Sequence, residues 1–131
     1  MAEQNIGLNT KCLIAGQDLS SYQYRFVKVS TAADRTCLLG SLNCEVAGVL
    51  QNKPKIGEMA LIATGPQPKV VAGDVIADGD DLICDANGCA IPKGATGTPN
   101  IAGRAITTAA AGIQSDLTYE VVQFDSKISG Q

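Results

Sequence analysis

Five cysteines, one run of carboxylates and one glycine-rich stretch are the residues of this 131-residue chain whose types and spacing admit chemistry. Cys84 and Cys89 flank an Asn87-Gly88 turn signal, and such a pair suits a disulfide or a fraction of a metal site. Register decides between outcomes. A two-residue loop at Asn87-Gly88 would set Cys84 against Ile91 and Cys89 against Ala86, whereas a four-residue loop would oppose the two cysteines. Zinc needs about four closely disposed ligands, and C-x4-C with no second pair and no histidine supplies too few. Buried thiols acting as small hydrophobes are the leading expectation. Asp78-Gly79-Asp80-Asp81 offers oxygen ligands of the kind calcium takes, but it lacks the spacing and distal glutamate of an EF-hand. It reads as a solvated turn feeding Leu82-Ile83-Cys84. Gly94-Ala95-Thr96-Gly97-Thr98 lacks the Gly-Lys-Ser/Thr ending of a phosphate-binding loop and reads as a surface loop.

The chain contains no histidine, which removes Ser-His-Asp and Cys-His catalysis together with the commonest metal ligand. A cysteine nucleophile would need a cation or a helix N-terminus to lower its pKa, and the sole adjacent cation is Lys11 beside Cys12. Neither a catalytic set, a metal site nor a cofactor is expected. Ten Lys and Arg against thirteen Asp and Glu give a net charge of −3, and the cations are scattered singly. Nucleic acid, which draws on clustered cations, is excluded as a partner. So is a membrane, because no run approaches the roughly 20 apolar residues of a span. Met1-Ala2-Glu3-Gln4-Asn5 lacks the basic and apolar segments of a signal peptide, and five cysteines make an odd set. Synthesis in a cytosol with reduced thiols is the expectation.

The elements that must position these residues are read as strands. Tyr22-Gln23-Tyr24-Arg25-Phe26-Val27-Lys28-Val29 is rich in aromatic and β-branched residues at period two. Tyr22, Tyr24 and Phe26 share one face and Val27 and Val29 the other, so either both faces are covered or a bulge switches sides. Further strands are expected at 36–39, 45–50, 58–63, 68–72, 74–77, 81–85, 89–92, 101–106 and 117–124, with a possible short one at 11–16. Such spacing spells an all-β sandwich or barrel. Thr107-Thr108-Ala109-Ala110-Ala111 has helix propensity, yet the repeat described next sets Pro54 opposite Ala109, which limits it to one turn at most.

One phrase occurs twice. Val46-Ala47-Gly48-Val49-Leu50, a loop to Gly57 and Met59-Ala60-Leu61-Ile62 return as Ile101-Ala102-Gly103-Arg104-Ala105, a loop to Gly112 and Tyr119-Glu120-Val121-Val122, with nine residues from glycine to glycine each time. Ala15-Gly16 and Ala72-Gly73 precede the two copies by 32 and 30 residues. The chain therefore divides into an N-terminal arm and first strand (1–16), a β domain (17–126) with related halves at about 16–63 and 73–124, and a short tail (127–131). Five aromatic residues and no Trp leave the core to Val, Ile, Leu and Ala, which favours further stability from subunit contacts.

Ala15-Gly16-Gln17-Asp18-Leu19-Ser20, Tyr24-Arg25-Phe26-Val27-Lys28, Gly48 through Pro54 to Gly57-Glu58, Val71-Ala72-Gly73, Asp85-Ala86-Asn87-Gly88 and Gly103-Arg104-Ala105 with Ala109-Ala110-Ala111-Gly112 together resemble the capsid decoration, or cement, proteins of tailed bacteriophages. The resemblance covers about residues 13–125, and Gly48 to Gly57 is its most specific part. It implies a small β-tulip-like sandwich or barrel without enzymatic activity. It also implies a homotrimer on the outer surface of the virion's expanded icosahedral head, holding neighbouring major capsid protein subunits together. In related proteins an N-terminal arm reaches into the shell, and here that role would fall to Ala2, Glu3, Gln4, Asn5, Ile6 and Leu8. Backbone pairing at an exposed sheet edge makes few demands on such side chains.

The cysteine content departs from that pattern. The hypothesis it motivates is that one or more thiols, with Cys12 near the arm the best candidate, cross-link subunits once lysis exposes particles to oxygen, and Cys12, Cys84 and Cys89 are the residues named for a possible disulfide. Identical migration on reducing and non-reducing gels would dispose of it. A different reading, a small-ligand or glycan-binding β-clip-like module, rests on Ala72-Gly73-Asp74-Val75-Ile76 followed by Gly79-Asp80-Asp81-Leu82. Retention on immobilised glycans but not on capsids would favour it.

Overall fold

The computed structural model describes residues 9–94, 97–109 and 121–127, which contain ten strands and no helix. The first five are β1 (Asn9–Ala15), β2 (Phe26–Val29), β3 (Thr36–Leu39), β4 (Gly48–Leu50) and β5 (Met59–Gly65). They close into a barrel in the order β1-β3-β2-β4-β5, in which the β1–β3 pair is parallel and the others antiparallel. The second five are β6 (Lys69–Val71), β7 (Asp81–Cys84), β8 (Ala90–Pro92), β9 (Gly103–Ala105) and β10 (Val121–Ser126), ordered β6-β10-β9-β7-β8. A parallel bridge from Ala72 to Ala90 joins the ends of that order. The two halves thus share one topology, with β6 to β10 standing for β1 to β5.

Single hydrogen bonds repeat as well. Gly16 N–H donates to Cys37 O and Gly73 N–H to Ala90 O, both at 2.8 Å. Leu19 N–H donates to Pro54 O at 2.9 Å as Ile76 N–H does to Ala109 O at 3.0 Å, so Pro54 and Ala109 are counterparts as the repeat required. Gly48 and Gly103 owe their identity to close packing: a Cβ on Gly48 would lie 2.6 Å from Ala63 O, and one on Gly103 2.2 Å from Asp125 O. Where strands approach this closely only glycine fits. One detail of the repeat is corrected. Val49 pairs with Ala63 and Arg104 with Asp125, so Met59–Ile62 correspond to Val121–Phe124, two residues beyond the alignment read from sequence. A shift of two leaves every side chain on its face, which is why alternation did not reveal it.

Two apolar clusters fill the molecule. Leu19, Val27, Cys37, Leu50, Ala60 and Ile62 occupy the barrel. Phe26 and Val49, on the same strands but facing the other way, join Val70, Ile76, Leu82, Val122 and Phe124 of the second half. Phe26 and Phe124 meet edge to face across that junction, with ring centroids 5.8 Å apart. Phe26 and Val27 are both fully buried, so the strand is covered on both faces.

Several boundaries differ from the sequence reading. The strand expected from Tyr22 starts at Phe26, because Tyr24 adopts a positive φ of 65° and breaks the extended chain. Residues 74–77 do not form a strand; Ile76 alone bridges Ala109, Thr107–Ala109 contains no helical turn, and Ala110–Ala111 lie outside the described residues. The Asn87-Gly88 hairpin has a five-residue loop, since Cys84 pairs with Ala90. Only Gly88 carries a positive φ, of 76°. Gly88 N–H donates to Asp85 O, and the Asp85 carboxylate accepts from Asn87 N–H and Cys89 N–H, both at 2.8 Å. The Asp85 side chain thereby stabilises a wider loop than the two-residue type I′ turn that Asn-Gly favours.

Candidate functional site

Strand β1 alternates between a covered and an open side. Leu13 packs on the barrel interior while Thr10, Cys12 and Ile14 point outward. Antiparallel pairing with β5 sets Cys12 opposite Leu61 and Ile14 opposite Met59. Ile14, Met59 and Leu61 remain 40%, 54% and 37% exposed. The turn before β5 adds Ile56, 68% exposed, and is held to the end of β1 by hydrogen bonds from Gly57 N–H to Ala15 O and from Ala15 N–H to Glu58 O. The outcome is a ladder of apolar side chains on the outside of a closed barrel, where water would ordinarily select polar ones.

The second half provides an internal control. The positions equivalent to Cys12 and Leu61 are Lys69 and Gln123, and those equivalent to Ile14 and Met59 are Val71 and Val121. Val71 is fully buried, whereas Val121, at 38%, is as exposed as Leu61. One topology therefore carries a run of exposed apolar side chains in the first half, whereas the equivalent positions of the second are polar, buried or, at Val121, a single exposed valine. The difference belongs to the side chains, since the backbones pair alike. Packing within the chain does not call for it; burial against another surface would.

β1 is also where the N-terminal arm enters. Its first residue, Asn9, pairs with Gly65 next to an irregularity in register. The arm residues Ala2, Glu3, Gln4, Asn5, Ile6 and Leu8 lie outside the described residues. Cys12, in contrast, is placed: it is exposed within the ladder.

The remaining sequence candidates are dispersed. Asp80 accepts the Ala77 N–H at 2.8 Å, and Asp81 faces Arg104 across 3.8 Å, so both carboxylates serve local structure. Among the described residues no three His, Cys, Asp or Glu side chains converge on a point that could hold a metal ion. All five cysteines are free. Cys84 and Cys89 do not oppose each other: the Cys84 thiol meets Cys44, a contact between residues 40 apart that spacing alone could not disclose. Cys44 lies in an open groove of about 400 Å³ with Lys11, Lys28 and Glu45. The Cys84 hydrogen bond, aided by Lys28, holds the Cys44 thiol well below the ordinary thiol range, while that same bond and burial push Cys84 up. Burial likewise raises Cys89, to about 11.

Residues 21–121 match the family described as phage cement protein. No curated protein sequence matches the chain. Among solved structures, the N-terminal base of the head fiber protein gp8.5 of bacteriophage phi29 has a similar fold, with a TM-score of 0.69 at 20% identity, over 92% of this chain and 94% of that one.

Proposed function

The chain belongs to the phage cement protein family, and on that premise we propose that it decorates the outer surface of an expanded icosahedral head as a homotrimer, stabilising contacts between major capsid protein subunits. It does so without catalysis, after synthesis in the host cytoplasm, and engages neither nucleic acid nor membrane. The observation that carries the proposal is the exposed ladder of Cys12, Ile14, Met59 and Leu61. The arm residues Ala2, Glu3, Gln4, Asn5, Ile6 and Leu8 precede β1 in the chain and are assigned a share of the same contact. Covering the exposed part of each large apolar side chain contributes on the order of 1 kcal/mol. One copy would bind weakly. Three linked copies raise effective concentration enough to make the contact persistent, and a contact spanning neighbouring subunits exists only when the shell has brought them together.

Two variants test the reading. Met59→Ser with Leu61→Ser removes the ladder without touching the core, and deletion of residues 2–8 removes the arm. Each should leave the circular dichroism spectrum and melting temperature near wild type and reduce co-sedimentation with expanded shells at least tenfold. Wild-type binding by both variants would overturn the assignment of this face.

A further inference from the structure

We propose that Cys44 and Cys84 form a redox site that a small-molecule disulfide, such as oxidised glutathione, converts into an intrachain disulfide joining the two halves. The two residues come from different sheets: Cys44 lies between β3 and β4 of the barrel, and Cys84 ends β7 of the second half. Their approach is built by the backbone. Asn43 N–H donates to Cys84 O at 2.8 Å, and Cys44 N–H to Ser41 O at 3.0 Å, so the segment carrying Cys44 is tied both to itself and to β7. Gly40 completes the arrangement, because a Cβ there would stand 2.5 Å from Cys84 Sγ. The Cys84 thiol donates to Asp85 O at 3.2 Å, and Cys44 packs against the buried cluster that contains Cys84.

The two thiols differ as an attacking and a resolving pair must. Cys44 is half-buried and opens on the groove that holds Lys11 and Lys28, whereas Cys84 is fully buried. Lys28 also donates to Ser41 Oγ at 3.0 Å, which keeps its ammonium beside Cys44. A partly exposed thiol in an electropositive setting is the one that ionises and reacts, in keeping with the lowered pKa of Cys44. The Cys44 thiolate attacks one sulfur of the small disulfide, whose S–S bond breaks and releases one thiolate, leaving a mixed disulfide on Cys44. The Cys84 sulfur then attacks Cys44 Sγ and expels the second small thiolate. The two protein protons end on the two released thiols, so the protein dithiol is oxidised and the small disulfide reduced. Closure brings the two sulfurs to a bond of about 2.05 Å.

The test uses the full reduced chain incubated with oxidised glutathione in native buffer, then alkylated and mapped by mass spectrometry after non-reducing digestion. The expected product is a peptide pair linked through Cys44 and Cys84 that has lost two hydrogens. Cys84→Ser should stop at a glutathione adduct on Cys44, and Cys44→Ser should yield neither product. Alkylation of both Cys44 and Cys84 after the incubation, or a linkage pairing other cysteines, would overturn the proposal. The wild-type map decides the matter even where a variant does not fold.

Discussion

Tyr24 and Gly79 hold the same place in the two halves. Tyr24 N–H donates to Leu50 O at 2.7 Å and Gly79 N–H to Ala105 O at 2.8 Å, and both residues lie at positive φ, 65° and 92°. A tyrosine in this conformation carries a strain that glycine avoids. Contacts offset it: the Lys69 ammonium lies 5.9 Å from the Tyr24 ring, and Tyr24 O accepts Val71 N–H from the second half at 2.8 Å.

Gly79 has no neighbour within 4 Å of where a Cβ would stand. Gly79→Ala should therefore cost only its backbone strain, about 1 kcal/mol in urea unfolding. A loss much larger than this would mean that the site is sterically closed.

Gly48 and Gly103 should behave otherwise, because the atoms in the way are backbone carbonyls of the paired strands. Alanine at either position should cost more than about 2 kcal/mol or prevent folding, since relief requires the strands to separate. Equal costs at Gly48, Gly79 and Gly103 would contradict the packing explanation.

Phe26 and Phe124 bind the halves together. Phe124→Ala should destabilise by about 3–5 kcal/mol, and the double mutant with Phe26→Ala should fall short of additivity by roughly 1 kcal/mol. Full additivity would show that the rings do not interact.

Alkaline pH should weaken the fold. Burial is the main cause that raises Cys89 from 9.0 to about 11, with Arg25 opposing and Asp85 adding to it. A folded-state value above the unfolded one means stability fully present below pH 9 and lost as pH rises through 11, amounting to about 3 kcal/mol. Cys89→Ala should flatten the fall in urea midpoint between pH 9 and 11. An unchanged slope would assign the loss to other groups, such as the buried thiols of Cys37 and Cys84, which are also raised.

Closing the Cys44–Cys84 bridge should stabilise the oxidised chain by about 3–4 kcal/mol through restriction of the unfolded state, on the order of 10 °C in melting temperature. Calorimetry at several protein concentrations checks it. A gain that grows with concentration would point to links between chains instead.

Glycine positions were the most legible part of the fold. Gly16, Gly48, Gly73 and Gly103 sit where strands or turns touch, so their spacing carried the duplication without any alignment of side chains. The two-residue offset of β10 escaped notice because alternation is blind to even shifts. Tyr24 misled the strand assignment, since its composition favours extension while its hydrogen bond to Leu50 requires a turn. For the candidate site, the outward Thr10-Cys12-Ile14 side was latent in the alternation of β1, but its pairing with Met59 and Leu61 depends on barrel closure. Cys44 beside Cys84 was illegible for the same reason, being created by contact between halves.

Electron microscopy of purified protein mixed with expanded and unexpanded shells tests the central claim most directly. The account predicts added density at three-fold positions on expanded shells alone, with the β1–β5 face turned toward the capsid. Expanded shells that stay bare at saturating protein would contradict it.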